Sequence, residues 1–219
     1  MTTKRIRLEK KIEVRGRKVS SALRAWFREH GIYVVNLIGS PGSGKTALLE
    51  AIAPRMKGRA AVIEGDLQTD QDKRCIERAG LPAFQVNTIS ACHLDADMVR
   101  RAVEQLPLDG VDFLFIENVG NLVCPASFEV GEDIKIAVLS VAEGDDKPSK
   151  YPVALSVSSA MVVTKMDLLP HLRCDVERME RDARAVRPGL AIFRVAATKR
   201  RRGVDAFVDW LEAQAAARP

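Results

Sequence analysis

A glycine-rich segment that ends in a lysine and a threonine is the clearest chemical signal in the sequence. Residues 39–46 read Gly-Ser-Pro-Gly-Ser-Gly-Lys-Thr, with an apolar β-branched run before them and a helix-favouring run after them. This order is that of a P-loop, whose backbone N–H groups cradle the α- and β-phosphates of a nucleotide. The lysine would reach the β- and γ-phosphates, and the threonine hydroxyl would coordinate Mg²⁺. The predicted nucleotide-binding residues of this segment are Gly39, Pro41, Gly42, Ser43, Gly44, Lys45 and Thr46.

Acidic residues follow two predicted buried strands. Glu117 ends the apolar run at 113–116, and Asp66 stands just beyond the strand predicted at 60–64. A carboxylate in this place lies beside the Mg²⁺ shell of a P-loop protein, and the N–H of Gly120 can bond the γ-phosphate. Asp66 would hold a magnesium-bound water or orient the attacking water. The predicted catalytic residues are therefore Lys45, Asp66, Glu117 and Gly120, and the predicted Mg²⁺ ligands are Thr46, Asp66 and Glu117.

A third strand end carries a pattern for recognising a base. Thr164-Lys165-Met166-Asp167 follows the apolar run at 161–163 and resembles the guanine pattern N/T-K-x-D. The Asp167 carboxylate can accept hydrogen bonds from the N1–H and 2-amino groups of guanine, which adenine does not offer. The apolar stem of Lys165 would lie along the base or the ribose. The pattern therefore predicts GTP rather than ATP.

Cysteine and histidine form a further group with possible metal chemistry. Cys92 and His93 follow Ser90, which we predict as the N-cap of a helix, so that the helix dipole would favour a thiolate at Cys92. Cys124 lies four residues beyond Gly120. Thiolates and imidazole suit zinc or nickel, although spacing alone is equally typical of buried cysteines beside a structural histidine. The remaining cysteines, which we expect to be structural, are Cys75 and Cys174.

Strands alternate with helices along the whole chain. This order predicts an α/β fold with a mostly parallel sheet and helices on both faces, as in a P-loop GTPase. After the P-loop helix, which we expect to end near Pro54, the predicted helices cover 71–79, 90–105, 173–186 and 203–216, and another at 19–29 precedes the P-loop. The predicted strands cover 34–38, 60–64, 84–87, 113–117, 135–141, 161–164 and 191–195.

Composition and charge limit the class of protein. The chain has 219 residues, of which 47% are hydrophobic, enough for one domain at 19–219 after a basic arm at 1–18. Since no apolar run reaches membrane-spanning length and no signal-peptide pattern is present, we expect a cytosolic protein. The net charge of +5 comes from basic clusters at 4–18 and 199–202. No recognition-helix signature or aromatic platform accompanies them, so a solvated arm or an acidic protein partner is favoured over nucleic acid.

The motifs together resemble the HypB family of nickel-handling GTPases, which act in the maturation of nickel–iron hydrogenases. The resemblance covers residues 20–212. Its most specific strings are Glu-Asn-Val-Gly-Asn-Leu-Val-Cys-Pro at 117–125 and Glu-Gly-Asp-Asp-Lys-Pro at 143–148, which separate it from the related urease GTPase. Further matching segments are Asn36-Leu37, the P-loop at 40–46, Gly-Asp-Leu-Gln-Thr at 65–69, Ala-Cys-His-Leu-Asp-Ala at 91–96 and Ser-Val-Ala at 140–142.

The resemblance implies a slow GTPase that holds Ni²⁺ or Zn²⁺ on Cys92, His93 and Cys124. It also implies a homodimer with the metal at its interface, a HypA-type nickel chaperone as partner, and the hydrogenase large subunit as recipient. Gly120 and Cys124 share one short loop, so loss of the γ-phosphate can move a metal ligand. We therefore expect the GTP and GDP states to differ in metal affinity.

Three features depart from the family pattern. Thr164 stands where the family usually has Asn, although related GTPases use Thr there. Residues 196–203 replace a Ser-Ala-x-Thr-Gly-x-Gly loop for the guanine O6 with a basic run, in which the N–H of Ala197 can still serve. The printed sequence carries no histidine-rich tract and no N-terminal cysteine motif, so the metal site we expect is that of the GTPase domain.

Two other classes of protein fit parts of the pattern. One is a metal-storage or metal-sensing protein that binds a nucleotide without hydrolysing it. The other is an ATP-dependent P-loop enzyme, which the altered guanine loop and the basic runs suggest. Turnover of GTP that vanishes in Lys45→Ala would exclude the storage or sensing protein. Competition between GTP and ATP for binding would distinguish the ATP-dependent enzyme from a GTPase.

Overall fold

Seven parallel strands form the sheet that carries every predicted site. The computed structural model describes residues 3–66, 70–88, 91–198 and 201–218, with side chains from Val14 onward. The strands are β1 Tyr33–Ile38, β2 Ala60–Asp66, β3 Ala83–Asn87, β4 Phe113–Glu117, β5 Ile134–Ser140, β6 Ala160–Thr164 and β7 Ala191–Arg194. They pair in the order β3-β2-β4-β1-β5-β6-β7, which places β1 in the middle.

Helices cover both faces of this sheet, as the sequence predicts. The helices of the described residues are α1 Thr3–Glu29, α2 Lys45–Met56, α3 Gln71–Ala79, α4 Ala96–Val103, α5 Cys124–Ser127, α6 Lys147–Lys150, α7 Pro152–Val157, α8 Val176–Val186 and α9 Val204–Ala216, with 3₁₀ turns at Val141–Glu143 and Met166–His171. Because side chains alternate along a strand, Val35 and Leu37 of β1 pack under α2, α3 and α9, while Val34 packs under α1 and α4. Helices α7 and α8 cover β5 and β6 on the face opposite α2, α3 and α9.

The interior of the sheet explains why its strands read as nearly continuous apolar runs. All residues of β1, β4, β5 and β6 are buried, because helices cover both of their faces. The polar residues in these strands are therefore exceptions to the apolar pattern. Several of them lie at the carboxyl ends, where loops from neighbouring strands meet.

The structure corrects the predicted bounds of three helices. Helix α1 begins at Thr3 rather than at residue 19, and Pro54 lies inside α2 instead of ending it. Helix α4 begins at Ala96, because the Asp95 side chain accepts a hydrogen bond from the N–H of Met98 and caps it there. Ser90, the predicted cap, lies outside the described residues.

A fourth helix starts later than predicted, and most other bounds agree with the structure. Helix α8 begins at Val176 rather than at residue 173, because the Asp175 side chain accepts a hydrogen bond from the N–H of Arg178 and caps it there. The strand at 113–117 and the helix at 71–79 are confirmed as predicted, and the remaining strands differ by one or two residues at their ends. No helix among the described residues is long and apolar enough to cross a membrane.

Candidate functional site

The glycine loop lies at the carboxyl end of the central strand. It joins β1 to α2, and Gly42 and Gly44 have φ angles of 74° and 90°, which L side chains rarely adopt. A Cβ on Gly39 would lie 2.5 Å from the carbonyl oxygen of Val138 in β5. The loop is thus held against the sheet in the strand, loop and helix context that the motif requires.

The lysine of this loop is buried against backbone oxygens. Lys45 is 7% exposed, and its Nζ donates to the carbonyl oxygen of Gly39 at 3.3 Å. Burial lowers the pKa of Lys45, and the charge of Glu117 opposes that shift. The ammonium group is therefore enclosed by the loop that is predicted to surround the phosphates.

Thr46 and Glu117 meet although 71 positions separate them. The Thr46 hydroxyl donates to Oε1 of Glu117 at 2.8 Å, while Oε2 of Glu117 is buried and has no hydrogen-bond partner among the described residues. Burial raises the pKa of Glu117 to about 7, against the charge of Lys45. Asp66 ends β2, and its charge also contributes to raising this pKa. The structure therefore brings these four predicted residues to one end of the sheet.

Sequence reasoning missed a second buried carboxylate at this place. Glu64 lies in β2 directly opposite Glu117 of β4 and is 1% exposed. Burial, followed by the charge of Glu117, raises the pKa of Glu64 to about 8. The available signal was a single glutamate at the end of an apolar run, in a strand that is buried on both faces.

Residues 117–124, which we call the phosphate loop, touch the glycine loop directly. A Cβ on Gly120 would lie 2.8 Å from the Cγ and 2.9 Å from the Cα of Pro41. The next residue, Asn121, forms an isolated antiparallel bridge with Gly39. A displacement of the glycine loop would therefore be transmitted to the phosphate loop by direct contact.

The predicted guanine-binding residues lie on the other side of the central strand. The Thr164 hydroxyl donates to the carbonyl oxygen of Ser43 at 2.5 Å, so the end of β6 is bonded to the glycine loop. Lys165 has a φ of 57°, an uncommon conformation for a residue other than glycine, and it places Asp167 on the following 3₁₀ turn. Asp167 is exposed. Threonine at position 164 therefore makes a bond that joins the segment predicted to recognise the base to the glycine loop.

The segment after β7 comes close to this pattern. The N–H of Met166 donates to the carbonyl oxygen of Val195 at 3.2 Å, and Ala196 forms a bridge with Arg202. Ala197 is half-buried next to that bridge. Lys199 and Arg200, which belong to the basic cluster, lie outside the described residues.

The predicted metal ligands come together at the edge of the phosphate loop. One ligand atom each from Cys92, His93 and Cys124 lies within 4.8 Å of the other two. Sγ of Cys92 is 3.5 Å from Nδ1 of His93. Cys92 is exposed and the other two are partly buried, so the group is open to solvent on one side. Two thiols and an imidazole at this separation form a donor set for a borderline-soft metal ion.

The predicted activation of Cys92 by a helix dipole is wrong. Helix α4 begins three residues after His93, so neither residue of the pair lies in its first turn. A hydrogen bond to Cys124 and burial raise the pKa of the Cys92 thiol above its ordinary value. Burial lowers the pKa of His93, which favours the neutral imidazole that a metal requires.

Comparisons with known proteins place the chain in a family. A model of the CobW/HypB/UreG nucleotide-binding domain matches residues 33–194. The hydrogenase maturation factor HypB of Escherichia coli is 49% identical over 211 residues, which are 94% of this chain and 72% of that protein. The chain belongs to the HypB family. This result confirms the resemblance to the HypB family, which depends most on the strings at 117–125 and 143–148.

Solved structures of HypB proteins have the same fold. The crystal structure of HypB from Helicobacter pylori in complex with nickel is 34% identical, covers 93% of this chain and 96% of its own, and superposes with a TM-score of 0.87. HypB from Archaeoglobus fulgidus is 32% identical, covers 92% and 99%, and has a TM-score of 0.84. The HypB family therefore includes a nickel-bound structure with the fold of this chain.

Proposed function

We propose that this chain is a slow, GTP-hydrolysing metallochaperone that delivers nickel during the maturation of nickel–iron hydrogenase. The observation that carries the proposal is the convergence of Cys92, His93 and Cys124 within 4.8 Å, with Cys124 at the end of the phosphate loop itself. The similarity to HypB of Helicobacter pylori, which was crystallised with nickel, supports nickel as the cargo. Zinc is the alternative cargo, since the same donors suit it.

Lys45, Thr46, Asp66, Glu117 and Gly120 would act on the phosphates and Mg²⁺. The Thr46 hydroxyl and the unpartnered Oε2 of Glu117 offer oxygen donors, which Mg²⁺ prefers. Mg²⁺ would bridge phosphate oxygens and neutralise charge. Lys45 would bind the β- and γ-phosphates, Asp66 would orient the attacking water, and Gly120 would donate its N–H to the γ-phosphate.

Lys165, Asp167 and Ala197 would select the base. The Asp167 carboxylate would accept from guanine N1–H and the 2-amino group, and the N–H of Ala197 would donate to O6. The bond from Thr164 to Ser43 supports this assignment, because it fixes the position of the base-binding segment relative to the glycine loop.

An exposed apolar surface lies beside the metal group. Val123 and Phe128 stand on either side of Cys124 in the sequence, and their side chains are 59% and 42% exposed. We propose that this surface meets a second copy of the chain, and that a HypA-type nickel chaperone and the hydrogenase large subunit are further partners.

Metal binding is tested by equilibrium dialysis with Ni²⁺ and Zn²⁺, first at saturating GDP and then with a non-hydrolysable GTP analogue. We expect one nickel site with an affinity that depends on the nucleotide, and its loss in Cys92→Ala and in Cys124→Ala. Cys75→Ala is the matched control, because Cys75 lies on α3 outside the group. Unchanged nickel stoichiometry in both cluster variants would contradict the proposed site.

Turnover is tested separately. GTP hydrolysis should vanish in Lys45→Ala and persist in Lys57→Ala, which removes an exposed lysine after α2. Absence of GTP turnover in the parent protein would favour the storage or sensing alternative. Equal competition by ATP would favour the ATP-dependent alternative.

A further inference from the structure

Two asparagines of the phosphate loop are bonded to the segment that carries Cys92 and His93. We call residues 91–95 the metal loop. The N–H of Leu94 donates to Oδ1 of Asn118 at 3.0 Å, and Nδ2 of Asn121 donates to the carbonyl oxygen of Cys92 at 3.3 Å. The metal loop is thus attached to the phosphate loop on both sides of His93.

The bond at Asn118 is anchored in the interior of the sheet. Asn118 is 1% exposed, its Nδ2 donates to Oδ1 of Asn36 at 3.2 Å, and Nδ2 of Asn36 donates to Glu132 at 3.4 Å. Glu132 forms a buried ion pair with Lys135 at 2.9 Å. Since every member of this chain of contacts is buried in or next to the central strands, the attachment at Leu94 is fixed to the sheet.

The bond at Asn121 lies next to the glycine loop and not in the interior of the sheet. Asn121 follows Gly120, which lies against Pro41, and pairs with Gly39 of the glycine loop. Its Oδ1 accepts from the N–H of Val123 at 2.8 Å. The Asn121 side chain therefore connects the segment predicted to contact the γ-phosphate with the backbone of a predicted metal ligand.

We infer that Asn121 is a positioning residue that transmits the position of the phosphate loop to Cys92, with Leu94 held in place by Asn118. When Gly120 moves, Cys124 moves because it is on the same loop, and Cys92 moves because Asn121 holds its carbonyl oxygen. Both thiols then respond to the phosphate, although they lie on different segments of the chain. This inference rests on the proposed function, since it assigns the regulation of the same metal group.

Asn121→Asp tests the inference with little change in shape. The carboxylate keeps an acceptor for the N–H of Val123 but has no donor for the carbonyl oxygen of Cys92. Asn121→Ala removes both bonds and adds no charge near the metal. Gln105→Glu is the charge control, because Gln105 is exposed beyond the end of α4.

The primary readout is the ratio of nickel dissociation constants between the GDP state and the GTP-analogue state, each at saturating nucleotide. We expect a ratio of about fivefold or more in the parent and in Gln105→Glu. In both Asn121 variants the ratio should fall toward one by about twofold or more, since loss of one neutral hydrogen bond is worth about two- to tenfold in an equilibrium constant. The ratio isolates coupling, because a general loss of metal affinity cancels from it.

A second readout needs no metal. The alkylation rate of the exposed Cys92 thiol, located by peptide mass spectrometry, should differ between the two nucleotide states in the parent and become equal in the Asn121 variants. Retention of the parent's nickel ratio and of its difference in alkylation rate in both variants would overturn the inference while leaving the proposed function intact. A nickel ratio of one in the parent itself would overturn the proposed coupling and the inference together.

Discussion

The imidazole of His93 lies flat on the ring of Phe128, with 4.2 Å between the ring centroids and 14° between the ring planes. The two residues come from different segments of the chain: His93 precedes α4, and Phe128 follows α5. The stacked ring limits rotation of the imidazole, whose Nδ1 lies 3.5 Å from Sγ of Cys92. Phe128 therefore orders a predicted metal ligand without supplying a donor atom.

Removal of this ring should weaken nickel binding. Phe128→Ala is expected to lower the nickel affinity about two- to tenfold, in line with the 0.5–1.5 kcal/mol associated with an aromatic pair. Phe128→Tyr keeps the ring and should retain the parent affinity. Leu172→Ala removes another exposed apolar side chain far along the chain and serves as the control. Equal nickel affinities of the parent and Phe128→Ala, measured by competition titration, would show that the stacking of Phe128 on His93 does not contribute to nickel binding.

Substitution at Asp167 should change the preferred base. In Asp167→Asn the side-chain NH₂ group, a donor, would face the N1–H and 2-amino donors of guanine. We therefore expect GTP affinity to fall about 100-fold or more. Xanthosine triphosphate carries a carbonyl in place of the 2-amino group and should bind the variant better than GTP does. Asp209→Asn, on the surface of α9, is the matched control. An unchanged GTP affinity, measured with a fluorescent analogue, would remove Asp167 from the base site.

A methyl group at position 120 should separate the phosphate loop from the glycine loop. In Gly120→Ala the Cβ would lie 2.8–2.9 Å from atoms of Pro41, so one of the two segments must shift. We expect the GTP turnover number to fall about ten- to a hundredfold, as for a misplacement of about 1 Å at a catalytic group.

Gly189→Ala is the control for this substitution. A Cβ there meets no heavy atom of the described residues within 4 Å, and the φ of Gly189 is not positive. Single-turnover kinetics at saturating GTP separate an effect on hydrolysis from one on binding. Parent-like turnover in Gly120→Ala would mean that the close approach to Pro41 is not needed for chemistry.

The buried carboxyl of Glu64 should make stability depend on pH. Its pKa is raised from 4.5 to about 8 in the folded protein, so the folded state binds more protons than the unfolded state between these values. Glu64 therefore opposes folding increasingly as pH rises through this window. In Glu64→Gln, without nucleotide or metal, the gain in Tm over the parent should be larger at pH 8.5 than at pH 5.5.

By linkage, this shift in pKa changes the free energy of unfolding by about 3 kcal/mol between pH 5.5 and pH 8.5. The difference in Tm gain should be about 6–12 °C, because 1 kcal/mol moves the Tm of a chain of this length by about 2–4 °C. Glu104→Gln changes an exposed carboxylate on the surface and should shift the Tm equally at both pH values. A gain for Glu64→Gln that is larger at the lower pH would contradict the assigned direction.

Contiguous patterns made much of the sheet and its sites predictable. The P-loop, the strand that ends in Glu117, and the segment from Thr164 to Asp167 each combine a motif with an apolar run, so local sequence specifies both the element and its position. The close grouping of Cys92, His93 and Cys124 came from family resemblance, because their spacing is also typical of structural residues.

Contacts between distant segments were not predictable from one sequence. Ser90 and Asp95 are both good N-cap residues, and the structure begins α4 after Asp95 because Leu94 remains buried with its N–H bonded to Asn118. The stacking of Phe128 on His93 depends on the fold of two loops, and no local periodicity indicates it. Glu64 was overlooked because strand pairing with β4 brings it opposite Glu117.

The position of β1 in the middle of the sheet separates the two predicted sites. The predicted metal ligands follow β3 and β4 on one side of it, and the predicted base-binding residues follow β6 and β7 on the other. Substitutions aimed at the predicted metal site and substitutions aimed at the predicted base site therefore fall in separate halves of the sheet. A protein engineer can randomise either half in a selection for a new ion or a new nucleotide while the sequence of the other half is kept constant.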